Sequence, residues 1–201
     1  MKLYLNETSP YARLVTVVAH EKGLNGAIER ALTDPWASSD DLLAVNPFAK
    51  VPALVTDDGE PIVDSGSICL YLDDLGGAPA LLPASGTQRA RALAKLGLGR
   101  SLIDCAFGVT IEKRFGGGEP ALAKRWHGAV ERAIARLEQE APRLGAPAAP
   151  DLGDLAIAVG LGYVAFRLPE VARRDTAPRL AAWYDGMAAR PSLGTGVQGF
   201  V

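Results

Sequence analysis

The sequence is poor in the residues that carry most side-chain chemistry. Its 201 residues include only 2 cysteines, 2 histidines and 2 methionines, and aromatics make up 6%. Cys69 and Cys105 lie far apart, each among apolar neighbours, and read as reduced core residues of a cytosolic protein. HExxH, Cys/His-cluster, GxSxG and Walker signatures are all missing, so no metal is implied and the familiar hydrolase and nucleotide-binding motifs drop out. His127 reads as a surface or packing residue. Also missing is any stretch approaching the roughly 18 apolar residues of a membrane span, and MKLYLNETSPYARL lacks the apolar core of a signal peptide. No run of Lys or Arg exceeds two residues and the formal net charge is −2. That leaves no cationic footprint for nucleic acid or an anionic membrane. The expectation is a soluble, cytoplasmic protein.

What is present is unevenly spread. Residues 1–75 carry 12 acids and 5 bases (−7), whereas residues 76–201 carry 11 acids and 16 bases (+5). A chain of this length accommodates two modest hydrophobic cores, and opposite charge balances favour two units. Between them GGAPALLPASG, residues 76–86, has the Gly, Pro and Ala content of a linker.

In the first half, Lys2-Leu3-Tyr4-Leu5 reads as a strand and Asn6-Glu7-Thr8 as a polar turn. Ser9 then suits a helix N-cap and Pro10 the first helical position, with Leu14, Val15, Val17 and Val18 as the buried face and Gly23 as the stop. Backbone N–H groups are unpaired at such a helix start and the dipole favours negative charge, so the Ser9 hydroxyl is either a cap or a donor facing an anion. Residues 27–32 give a weak second strand. A long loop follows around a helical turn at Asp40 to Val45, with Trp36 lining a site or packing on the domain surface.

Val51 to Thr56 and Glu60 to Val63 flank Asp57-Asp58-Gly59, a hairpin signal whose acids read as a solvated tip. Pro52 at the mouth of its strand removes a backbone donor and is a candidate for a cis bond. A cis bond would turn the Val51 backbone toward an extended peptide; a tight turn into the hairpin is the competing reading. Asp64-Ser65 opens a helix through Ile68, Cys69, Tyr71 and Leu72 that Gly76-Gly77 ends. The two are a capping pair, or a site in which Ser65 and helix N–H groups hold a carboxylate while Asp64 holds an ammonium. The order β-α-β-α-β-β-α describes a small mixed sheet with helices packed on it.

The second half reads as helical. Residues 87–112 form one helix whose Gly97, Gly99 and Gly108 predict close approach to a neighbour, with a subunit interface as the candidate. Gly116-Gly117-Gly118 breaks the chain as a flexible segment. Residues 120–141 are amphipathic, with Trp126, Val130, Ile134 and Leu137 on one face. Asp151 and Asp154 cap a nearly all-apolar helix expected at the centre of this unit. Residues 176–190 supply a further helix, and the tail PSLGTGVQGFV is expected to run over the surface.

Taken jointly, Ser9-Pro10-Tyr11-Ala12-Arg13, Asn46-Pro47-Phe48-Ala49-Lys50-Val51-Pro52-Ala53-Leu54, Asp64-Ser65 with Ile68 and Tyr71-Leu72, and Asp151 to Asp154 resemble the glutathione S-transferase superfamily. The likeness is to its small bacterial members with an SPYxR or SPFxR start, over essentially the whole chain and tightest over residues 1–83. It implies a thioredoxin-like domain at 1–77, a linker at 78–86, an all-helical domain at 87–201 and a two-fold homodimer. It also implies glutathione as cosubstrate. The Val51 backbone before cis Pro52 would pair with the cysteinyl part, Asp64 and Ser65 would hold the γ-glutamyl end, and Lys50 would contribute a cation.

Ser9 falls where related classes use Ser or Cys to contact the thiol sulfur. A serine donates to a thiolate but forms no mixed disulfide, so the resemblance implies conjugation to a small hydrophobic electrophile, or peroxide chemistry. Tyr4 and Tyr11 are rivals for the hydroxyl role. Tyr11, Leu102, Cys105, Ala106 and Val109 are expected to line a second-substrate pocket. The sequence departs from its relatives at Leu14, where Lys is common, at Ala49, where Gly is usual, and around Trp36, which has no nearby Lys or Arg for the glycyl end. Ser9, Ala49 and the missing basic contact keep open a non-catalytic glutathione-binding or stress-response interaction module with the same fold.

Overall fold

A computed structural model describes residues 1–75, 79–116 and 120–194. Gly76-Gly77, Gly117-Gly118 and the tail beyond Gly194 lie outside the described residues. The chain divides into two compact units, Met1–Leu82 and the remainder from Pro83 onward.

The first unit alternates short strands with helices: β1 (Lys2–Leu5), α1 (Pro10–Glu21), β2 (Glu29–Leu32), α2 (Asp40–Val45), β3 (Ala53–Val55), β4 (Pro61–Val63) and α3 (Ser65–Asp74). The sheet order is β2-β1-β3-β4, with β1 parallel to β2 and antiparallel to β3, and β3 antiparallel to β4. Pro61 opens an edge strand, where a missing N–H costs no ladder bond. The hairpin loop bonds Thr56 N–H to Glu60 O, and Gly59 takes the φ of +87° that this turn needs. α1 buries Leu14, Val15, Val17 and Val18, and α3 buries Ile68, Cys69 and Leu72. The arrangement is the small mixed sheet that the element order predicts, and the thioredoxin-like unit that the resemblance implies.

At the end of α1, the Lys22 ammonium is buried against Asp73 of α3. The Asp73 carboxylate also accepts the N–H groups of Leu81 (2.8 Å) and Leu82 (2.9 Å), and Lys22 Nζ donates to Pro79 O (3.3 Å). Part of the segment read as a linker is thereby fastened to the first unit.

The second unit is all-helical: α4 (Gly86–Phe115), α5 (Pro120–Glu140), α6 (Leu152–Arg167) and α7 (Pro178–Ala188). Asp151 and Asp154 form a reciprocal capping box at the start of α6, and Lys95 of α4 reaches both carboxylates at 2.7 Å. Every residue of α6 from Leu152 to Ala165 is buried. Two of the three α4 glycines, Gly99 and Gly108, mark close approach to neighbours within the unit. A Cβ at Gly99 would fall 2.5 Å from the Ala156 carbonyl carbon of α6, and one at Gly108 would fall 2.7 Å from the Trp126 ring of α5. Gly97 has nothing within 4 Å. No described helix is long and apolar enough to cross a membrane.

Candidate functional site

Strand register brings three junctions to one end of the first unit's sheet. Tyr4 pairs with Ala53 and Ala53 with Val63, so the end of β1, the start of β3 and the end of β4 lie side by side. The Ser9 turn, Val51-Pro52 and Asp64-Ser65 therefore share that end. There α1 and α3 also begin, each presenting the positive end of its dipole.

Ser9 is half-buried at the N-cap of α1, where its Oγ accepts the Ala12 N–H at 3.2 Å. With the oxygen so engaged, the hydroxyl retains its proton for donation. Tyr11, on α1, is half-buried. Tyr4 packs against the cluster of Leu42, Val51 and Ala53.

The Val51–Pro52 peptide is cis. Both residues are buried, and β3 begins only at Ala53, so the Val51 backbone stands outside the sheet ladder. The preceding turn is built around Asn46, which is only 2% exposed. Its Oδ1 accepts the Phe48 N–H (3.1 Å), its Nδ2 donates to Lys50 O (2.7 Å), and its backbone carbonyl accepts the Ala49 N–H (3.0 Å). Ala49 takes φ +49°, a left-handed conformation that accounts for the glycine usual among relatives here. The Lys50 side chain is exposed beside Val51. Sequence reasoning placed Asn46 in the motif but gave it no role of its own. Its signal was Asn-Pro two residues before an exposed aromatic, a turn-initiating pair.

Asp64 has φ +75° and is exposed, and its Oδ1 accepts the N–H groups of Gly66 (2.7 Å) and Ser67 (3.2 Å). It is thus a true N-cap of α3. Ser65, 3% exposed, occupies the first helical position. An acid and a hydroxyl at the positive end of a helix dipole suit a ligand end bearing both ammonium and carboxylate.

Beside the Ser9 turn, a depression of ≈ 340 Å³ is lined by Leu5, Asn6, Glu7, Thr8, Leu32, Thr33 and Asp34. Trp36 is 54% exposed. Of the residues expected to line a second-substrate pocket, Leu102, Ala106 and Val109 are buried in the helical unit's core with Val130, Ile134, Ile157 and Leu161. Cys105 is half-buried, and burial, aided by the Asp104 charge, pushes its thiol pKa up against the weaker pull of Arg132 and Arg125. Such a thiol is a poor nucleophile. Among the described residues, no group of three or more His, Cys, Asp and Glu side chains is placed to hold a metal.

A thioredoxin-like sheet with two capped helix starts and a cis-proline turn at one end, followed by an all-helical unit, defines a class of two-unit proteins. The sequence model of the glutathione S-transferase N-terminal domain matches residues 8–75, and that of the C-terminal domain matches residues 120–186. A glutathione transferase family member from Pseudomonas fluorescens Pf-5, solved with bound glutathione, is 32% identical with a TM-score of 0.86, covering 96% of each chain. The chain belongs to the glutathione S-transferase superfamily.

Two curated relatives match more locally. The uncharacterized GST-like protein YibF of Escherichia coli is 35% identical over 91 residues, 45% of this chain and 44% of that protein. The stringent starvation protein A homolog of Pasteurella multocida is 34% identical over 91 residues, 45% of this chain and 42% of that protein. The matched region thus spans less than half the length of these curated relatives.

Proposed function

We propose that the protein is a glutathione-dependent transferase that joins the glutathione thiol to a small hydrophobic electrophile, working as a homodimer. The observation that carries this is the likeness, over 96% of both chains, to a relative holding glutathione. In this reading the Val51 N–H and C=O pair with the cysteinyl residue. The start of α3, with Asp64 and Ser65, receives the γ-glutamyl end, and Lys50 offers a cation to a carboxylate. Ser9 donates its hydroxyl proton as a hydrogen bond to the sulfur, stabilising the thiolate once the thiol proton has left for solvent. The sulfur then forms a bond to the electrophilic carbon, and the electron pair of the broken bond departs with the leaving group. A calorimetric titration with glutathione tests the reading. Binding below millimolar supports it, and no heat at millimolar ligand overturns it.

A second reading has its own support in the starvation-protein relative. It is a glutathione-fold module that acts by protein interaction. Retained glutathione binding with no turnover across a panel of electrophiles and peroxides would favour it over the transferase.

A further inference from the structure

We infer that Asn46 is a positioning residue for glutathione, acting through the Lys50–Val51 peptide. The inference rests on the glutathione reading of the Val51 backbone and names what holds that backbone in place. The peptide is trans, since the only cis bond among the described residues is Val51–Pro52. In a planar trans peptide the carbonyl and the N–H point in opposite directions. Asn46 Nδ2, in a side chain 2% exposed, holds Lys50 O at 2.7 Å. The Val51 N–H is therefore aimed away from Asn46, and rotating it means breaking this part-buried hydrogen bond.

Asn46 is itself fixed. Its backbone N–H bonds Leu42 O at 2.8 Å, its carbonyl accepts from Ala49, and its Oδ1 accepts from Phe48. The amide thus does two separable things. Its oxygen caps the turn, and its nitrogen orients the peptide that presents the Val51 N–H. A left-handed Ala49 between them lets the chain double back far enough for Lys50 O to reach Nδ2.

Asn46→Asp separates the two, because aspartate keeps the acceptor for Phe48 N–H and replaces the donor with an oxygen that repels Lys50 O. The expected result is a glutathione Kd and KM raised roughly tenfold, in line with loss of one hydrogen bond, with kcat for 1-chloro-2,4-dinitrobenzene within about twofold of wild type. A variant that is merely less folded shows the reverse pattern, a lower apparent kcat at unchanged KM. In wild type labelled with 15N-valine and 15N-asparagine, saturating glutathione should shift both the Val51 amide and the Asn46 side-chain amide resonances. That measurement stands even where Asn46→Asp fails to fold. A wild type that binds glutathione without moving these resonances, or an Asn46→Asp protein with unchanged Kd, overturns the inference and leaves the transferase reading intact. A wild type that does not bind glutathione overturns both.

Discussion

The Lys22 ammonium lies 3.1 Å from Asp73 Oδ1, and the two side chains are 1% and 5% exposed. Removing one partner of a buried ion pair strands the other, at a cost on the order of 3–5 kcal/mol. Asp73 has the larger task, since it also satisfies Leu81 and Leu82 N–H. Asp73→Ala should lower stability by about that amount and Lys22→Met by clearly less, measured by urea unfolding. Equal losses would mean that the ion pair alone, without the backbone bonds, sets the energetics.

Ser9 serves as a cap as well as the candidate thiol contact. Ser9→Ala should cost about 1 kcal/mol of stability, and Ser9→Gly only a few tenths. Both should lose most of the conjugation rate while changing glutathione Kd little. Activity in either variant equal to wild type would move the hydroxyl role to Tyr11.

Two glycines of α4 should respond in opposite directions. Gly99→Ala forces a Cβ to 2.5 Å from the backbone of α6 and should destabilise by roughly 1–3 kcal/mol or more. Gly97→Ala meets open space on an exposed helix surface and should stabilise by about 0.5–1 kcal/mol. Thermal melts of the two single variants check the pair.

Glu138 of α5 supplies the N-terminal cap that α7 lacks: Oε2 accepts the Leu180 N–H (2.8 Å) and Oε1 the Arg179 guanidinium (2.8 Å). Burial pushes its carboxyl pKa up, but the bonds from the Arg179 side chain and the Leu180 and Arg179 N–H groups outweigh it and hold the group below the ordinary glutamate value. A depressed folded pKa stabilises above the unfolded value and loses that contribution as pH falls through the folded one. The stability gap between wild type and Glu138→Gln should therefore be full at neutral pH and close below about pH 4. A pH-independent gap would assign the effect to packing.

Local chemistry made much of this architecture legible. Ser-Pro at the start of α1, Asp-Asp-Gly between β3 and β4, and Asp151 with Asp154 are signals spanning a few residues, and each stands where the sequence put it. The less legible features are long-range. Glu138 caps a helix 42 residues away in sequence, and nothing near Lys22 announces Asp73. Leu102, Ala106 and Val109 illustrate the same limit on α4. Helical spacing shows that they share a face, but not that α5 and α6 cover it. Asn46 escaped because a buried amide in a turn looks like any other turn former until its nitrogen is seen on Lys50 O.

The unbroken burial of α6 from Leu152 to Ala165 bears on how the protein can be dissected. A helix with no wet face has no soluble existence outside its neighbours. Any fragment that omits α4 or α5 would present that apolar cylinder to water and should aggregate rather than fold, so the helical unit is divisible on paper but not in the test tube.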